Sequence, residues 1–104
     1  MTDLPLACDL SALTDAQRER HIAVSRQVLA GKQDVVEVAD GYRLRYPDDP
    51  ANYVLLGEFM SMEHRCCPFF RIALEVEPGA DSIWLRISGD ADDIKAFIRA
   101  EMFS

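Results

Sequence analysis

The sequence contains no long apolar run and few cations. No stretch approaches the roughly 20 apolar residues that span a membrane, and the first residues lack the basic and apolar regions of a signal peptide. Only 11 Lys and Arg stand against 18 Asp and Glu, which gives a formal net charge of −7. Such a charge repels nucleic-acid backbones and anionic lipid. We therefore expect a cytoplasmic protein that has neither nucleic acid nor a membrane as a partner.

Cysteine is also scarce. The chain has three, Cys8, Cys66 and Cys67, an odd number of which two are adjacent. A disulfide framework is therefore not expected, and we predict reduced thiols. The sequence also lacks a glycine-rich phosphate loop and a nucleophile elbow. The thiols remain as its main chemical feature.

The helical signals lie in three segments. Thr14–Gln17 has the form of a capping box and predicts a helix that ends at Ala30-Gly31. Its predicted apolar stripe is Ile22, Ser25, Val28 and Leu29. Pro50 begins a second helix, which Pro68 ends. The last helix begins near Asp92.

Two pairs of alternating segments predict β-hairpins. Val35–Val38 and Tyr42–Tyr46 flank an Asp-Gly pair, and Phe70–Val76 and Ile83–Ile87 flank Pro78-Gly79. With 104 residues, 49% of them hydrophobic, the chain suits one domain over residues 1–104. The predicted class is α+β, an antiparallel sheet of two hairpins with three helices in the order αββαββα.

An initial strand over Leu4–Cys8 would alter this topology. The first six elements would then follow the βαββαβ order of a ferredoxin-like fold. In that fold, the connection after the first strand and the one after the second helix lie at the same end of the sheet. Cys8 would then approach Cys66 and Cys67.

The adjacent pair Cys66-Cys67 near the end of the second helix is the main candidate site. Glu63 and His64 precede the pair within one helical turn, so they share its face in part. Neighbouring helical side chains point about 100° apart. A residue before proline, however, is driven toward extended geometry. Pro68 should therefore turn Cys67 so that both sulfurs face one point.

Three thiolates suit a soft or borderline transition-metal ion, such as Cu(I), Hg(II) or Zn(II). The predicted metal ligands are Cys8, Glu63, His64, Cys66 and Cys67. A metal, or a nearby cation, is needed because the C-terminal end of a helix does not by itself favour a thiolate.

Two other interpretations of the cysteines stay open. In one, Cys66 or Cys67 is a reactive nucleophile assisted by His64 or Glu63, or the pair closes a vicinal disulfide with Cys8 as the resolving thiol. In the other, the cysteines are small buried side chains of a structural module that forms a homodimer through a sheet or helix face.

Three further residues are assigned from their positions. Glu63 lies on the apolar stripe, where it is either a ligand or a rim residue paired with Arg65 or Arg71. His21 is predicted to be an ordinary surface or boundary histidine. Trp84 alternates with Ile83 and Leu85, so it should point to the other face of the sheet and cover a pocket or a dimer interface.

Several runs of the sequence resemble a group of small, uncharacterised bacterial proteins, over nearly the whole chain. These runs are Ala7-Cys-Asp-Leu-Ser-Ala-Leu13, Asp40-Gly-Tyr42, Glu63-His-Arg-Cys-Cys-Pro-Phe69, Leu74-Glu-Val-Glu-Pro78 and Trp84-Leu-Arg-Ile-Ser-Gly89. Some members of the group accompany heavy-metal resistance genes. The resemblance implies a bacterial cytoplasmic protein in which Cys8, Cys66 and Cys67 act together. Ferredoxin-like metallochaperones carry a C-x-x-C motif in their first loop, where this chain has only Cys8.

Overall fold

A computed structural model describes residues 8–103 of the chain, and its two long helices begin where the sequence predicts. Helix α1 spans Asp15–Gly31, and its capping box is complete: the Gln17 N–H donates to Thr14 Oγ1 at 3.1 Å, and the Thr14 N–H donates to Gln17 Oε1 at 3.0 Å. Helix α2 spans Pro50–Cys66 and is capped by Asp49. Both N-terminal predictions are confirmed.

Four antiparallel strands form the described sheet, with the order β1-β2-β4-β3. They are β1 (Asp34–Val38), β2 (Gly41–Pro47), β3 (Arg71–Val76) and β4 (Ser82–Ser88). The predicted α+β class and element order are confirmed. Apart from Cys8, the initial strand considered over Leu4–Cys8 lies outside the described residues. In the sheet, β4 lies between β2 and β3, which is the position that a ferredoxin-like fold gives to its initial strand.

One face of the sheet packs against the helices and forms the core. Fully buried side chains come from alternating positions of the strands and from one face of each helix. They are Leu44, Tyr46, Ile83, Leu85 and Ile87 of the strands, and Val24, Val28, Leu56, Phe59 and Ile98 of the helices. The predicted stripe of α1 is partly wrong, because His21, Val24 and Val28 are buried whereas Ile22 is 42% exposed. Two overlapping stripes share Val28, and packing against α2 and the sheet selects the one that contains the histidine.

The other face of the sheet is polar and carries Trp84, as the alternation predicts. The Arg43 guanidinium lies 4.3 Å from the centre of the Trp84 ring, and Arg43 Nε donates to Glu75 Oε1 at 2.8 Å. This stacking covers part of the indole.

The last described elements lie on the core side of the sheet. Helix α3 (Ile94–Ile98) runs into a π-helical turn, Arg99–Phe103. It begins two residues after the predicted start near Asp92, and Asp93, at its N-terminus, makes no side-chain cap hydrogen bond. Within residues 8–103, we find no helix with the length and apolar character needed to cross a membrane.

Candidate functional site

A short 3₁₀ turn before α1, Leu10–Ala12, holds Cys8 against the end of α2. The Asp9 N–H donates to the Cys66 carbonyl oxygen at 2.7 Å. Cys66 is the last residue of α2, where carbonyl groups have no partner within the helix. The Asp9 carboxylate in turn accepts the Ser11 N–H at 3.0 Å and so stabilises the turn. These hydrogen bonds bring Cys8 to the adjacent cysteines.

Pro68 ends α2 and reorients Cys67. Cys67 has φ −126° and ψ 70°, which is outside the helical region, although its N–H still donates to the Glu63 carbonyl oxygen at 2.7 Å. Cys66 retains helical geometry. The two sulfurs lie 3.8 Å apart instead of diverging. The predicted effect of the proline on the cysteine pair is confirmed.

Cys8 and Cys67 are joined by a disulfide, with their Cα atoms 4.7 Å apart. The sequence predicts three reduced thiols, and for this pair that prediction is wrong. Cys66 is the one free thiol. The cause is tertiary: the N-terminal turn and the proline bend bring together two residues that are 59 positions apart in the sequence.

Three sulfurs and one carboxylate oxygen converge at this point. The ligand atoms of Cys8, Glu63, Cys66 and Cys67 all lie within 4.8 Å of one another. Glu63 Oε1 is 2.9 Å from Cys67 Sγ, 3.9 Å from Cys66 Sγ and 4.0 Å from Cys8 Sγ. In the disulfide-bonded state the Cys67 contact involves no thiol proton, whereas after reduction the Cys67 thiol can donate to the carboxylate.

The spacing of the two adjacent sulfurs matches that of a tetrahedral metal site. Two sulfurs bound at about 2.3 Å to a tetrahedral Zn(II) lie about 3.8 Å from each other. The separation of the Cys66 and Cys67 sulfurs, 3.8 Å, matches that value. The Cys8 and Cys67 sulfurs are too close because they are bonded. Glu63 Oε1 also lies nearer to Cys67 Sγ, at 2.9 Å, than the roughly 3.6 Å expected between an oxygen and a sulfur on one Zn(II). Once the bond is reduced, the Cys8 and Cys67 sulfurs must move apart for an ion to enter.

His21 completes the surroundings of Glu63. Its Nε2 lies 3.4 Å from Glu63 Oε2, and both side chains are nearly buried, at 5% and 12% exposure. The imidazole stacks on Phe59, with ring centres 5.7 Å apart. The sequence does not predict this role for His21. The available signal is its spacing, since positions 21, 24 and 28 form a helical stripe.

The charge balance of the site is negative. Burial, and then the Glu63 carboxylate, raise the pKa of the Cys66 thiol to about 11. Within residues 8–103, the ionic partner of Glu63 is His21 alone. At neutral pH Cys66 is therefore a protonated thiol rather than an activated nucleophile. A bound cation would favour the thiolate.

The remaining residues considered from sequence lie elsewhere. His64 is exposed and lines a separate surface depression with Met60 and Ile72, so it is not in the group of converging ligand atoms. Arg71 pairs with Asp90 instead of Glu63. Arg65 donates to the Ser61 carbonyl oxygen.

The chain matches no protein-family model, no curated protein and no solved structure.

Proposed function

We propose that the reduced protein binds one soft or borderline metal ion through Cys8, Cys66 and Cys67, with Glu63 as the fourth ligand. The observation that carries this proposal is the convergence of three sulfurs and a carboxylate oxygen within 4.8 Å. Thiolates favour Cu(I), Hg(II) and Zn(II). The ion would be held for sequestration, delivery or sensing.

The electrostatics of the site support a cation. Glu63 is nearly buried, and the neighbouring thiols would add negative charge on ionisation. Several anionic ligands in a site from which water is largely excluded are unfavourable unless a positive charge compensates them. A divalent ion supplies that charge and lowers the pKa of the thiols that it binds.

The disulfide makes the metal function depend on redox state. A reducing compartment such as the cytoplasm keeps thiols available for metals. Oxidation joins Cys8 to Cys67 and removes two of the four ligands. The disulfide-bonded form should therefore hold the ion far more weakly than the reduced form.

The test is native mass spectrometry of the reduced protein titrated with Zn(II), Cu(I) and Hg(II). One ion per chain is expected to survive a modest chelator challenge. The ion should be lost in each of the Cys8→Ser, Cys66→Ser and Cys67→Ser variants. His64→Ala is the matched control, because His64 lies outside the ligand group. Failure of the reduced protein to retain any of the three ions would refute the proposal.

A second candidate function is thiol–disulfide exchange, which the Cys8–Cys67 bond favours. An external thiolate would attack Cys8, because Cys8 is partly exposed whereas Cys67 is fully buried. Cys8 would form a mixed disulfide with it, and Cys67 would leave and take up a proton. Equilibration with glutathione buffers measures this property. A reduction potential within the range of the cytosolic glutathione pool would favour exchange, and a much lower one would indicate a structural bond.

A further inference from the structure

An apolar cleft of about 440 Å³ opens beside the sulfur site. Helix α1 and helix α2 form its walls, and the C-terminal turn contributes Met102. Cys8, Glu63 and Cys66 lie along the same cleft. Its volume falls within the range of small-molecule pockets, roughly 300–1,000 Å³. The sulfur site thus borders a space much larger than an ion.

Apolar side chains line much of the cleft, beside the charged side chains of Arg26 and Glu101. Ile22 and Leu10 both line it, yet they are 42% and 40% exposed. Leu29 and Phe70 extend the same surface. The position of Ile22 also explains why an apolar residue of α1 lies outside the core stripe. An inorganic ion would occupy only the sulfur end and leave this surface in water.

The wall also contains an unsatisfied polar group. His21 lines the cleft, is 4% exposed, and has no hydrogen-bond partner at Nδ1 among the described residues. Buried polar atoms without a partner are uncommon in native proteins, and they often mark a place where a ligand or a functional contact is made. Because His21 Nε2 lies 3.4 Å from Glu63 Oε2, this unpartnered atom is beside the sulfur end of the cleft.

We propose that the cleft accepts the organic group of an aryl or alkyl compound of a soft metal, with the metal atom at the cysteines. The proposal rests on the soft-metal function proposed above and specifies its ligand class. With an organomercury cation, the balanced step is Cys66–SH + R–Hg–X → Cys66–S–Hg–R + HX. A sulfur–mercury bond forms, the mercury–X bond breaks, the proton leaves with X, and the carbon–mercury bond stays intact. No oxidation state changes.

The test compares methylmercury with phenylmercury in competition between the reduced protein and glutathione. Both probes carry one positive charge on the same metal, so glutathione corrects for the intrinsic strength of the sulfur–mercury bond. The protein should prefer phenylmercury over methylmercury by about tenfold relative to glutathione, because the ring is buried in the cleft. Ile22→Ser and Leu10→Ser should each reduce this preference, because each removes an apolar wall of the cleft. Val54→Ser, at a 72% exposed position of α2 outside the cleft, is the matched control.

Three results would overturn the proposal in distinguishable ways. Tight binding of methylmercury without a phenyl preference would exclude the cleft as a ligand site while leaving the metal function intact. A phenyl preference that persists in both Ile22→Ser and Leu10→Ser would place the ring elsewhere. Binding of both probes no tighter than to glutathione, together with no retention of Zn(II) or Cu(I), would refute the metal function itself.

Discussion

The element order αββ occurs twice in the chain, first as α1, β1 and β2 and then as α2, β3 and β4. Helices α1 and α2 each contain 17 residues. Of the two, only α2 ends in a cluster of ligand atoms. Helix α1 ends at Gly31, and Lys32 has an extended backbone. The Lys32 ammonium group donates to the Leu29 carbonyl oxygen at 2.8 Å. α2 ends in two cysteines and a proline, with Cys8 docked beside them. Both αββ units therefore pack around the core, whereas the candidate metal site depends on the residues at the C-terminal end of α2.

The largest expected effect comes from removing a sulfur ligand at that end. Cys67→Ser should lower the affinity of the reduced protein for Zn(II) by at least about 100-fold, since even changes around the ligands cost 10- to 100-fold. Lys32→Ser, which alters the residue that follows α1, should leave affinity unchanged. Competition with a chromophoric chelator measures both. Similar affinities for the two variants would contradict the assignment of the site to the second helix.

Replacing the proline tests why the two helix ends differ. In Pro68→Ala, Cys67 is free to adopt helical geometry, and the two sulfurs diverge. We expect Zn(II) affinity to fall about tenfold, on the scale of changes around a ligand set. Pro47→Ala, at the end of β2 in the first unit, is the control and should bind like the unaltered protein. An unchanged affinity in Pro68→Ala would show that the docked N-terminal turn alone orients Cys67.

The Glu63 carboxylate is expected to control the titration of Cys66. In the disulfide-bonded protein Cys66 is the one free thiol, so its alkylation rate reports its thiolate fraction. The rate should rise with pH toward the pKa of about 11. Glu63→Gln removes a negative charge that disfavours the thiolate, so the profile should move to lower pH. Burial is the larger cause of the raised pKa and should keep the profile above that of an ordinary thiol.

Glu58→Gln is the matched control for that profile. Glu58 lies on the same helix and pairs with Arg20 on the surface. Its replacement should leave the alkylation profile of Cys66 in place. Equal shifts in the Glu58 and Glu63 variants would mean that overall charge, rather than contact with Glu63, affects the thiol.

The smallest expected effect comes from replacing the N-cap residues of α1 and α2, a feature that the two αββ units share. Thr14 and Asp49 each accept a backbone N–H at the start of their helix. Thr14→Ala and Asp49→Ala should each lower the free energy of unfolding by about 1 kcal/mol. Urea denaturation measures this loss. Metal affinity should stay the same in both, and a large loss in either would couple the site to the opposite end of its helix.

Local signals in the sequence predict most of the fold. The capping box at Thr14–Gln17 depends on residues a few positions apart and forms as predicted. The first hairpin also forms, although its two-residue turn is Ala39-Asp40 and Gly41 begins β2, opposite Val38. The stripe of α1 is predicted less well. Two overlapping patterns share Val28, and only packing against the rest of the protein decides that His21 faces inward and Ile22 outward.

The sequence predicts the candidate site in part. It predicts that Cys8 approaches the other cysteines, but from a fold arrangement that is not the cause in the structure. The bend at Cys67 follows from Pro68, a neighbour in the sequence. The approach of Cys8 is predicted from a ferredoxin-like arrangement, whereas the structure achieves it through the hydrogen bond from Asp9 to the Cys66 carbonyl oxygen. The disulfide and the contact between His21 and Glu63 depend on tertiary packing, which spacing alone does not reveal.

X-ray absorption spectroscopy of the reduced, Zn(II)-loaded protein tests the central claim most directly, because it counts the ligands around the metal by element. Three sulfur atoms at about 2.3 Å and one oxygen at about 2.0–2.2 Å are expected, from Cys8, Cys66, Cys67 and Glu63. A shell with one sulfur or none would contradict a metal site built on the three cysteines.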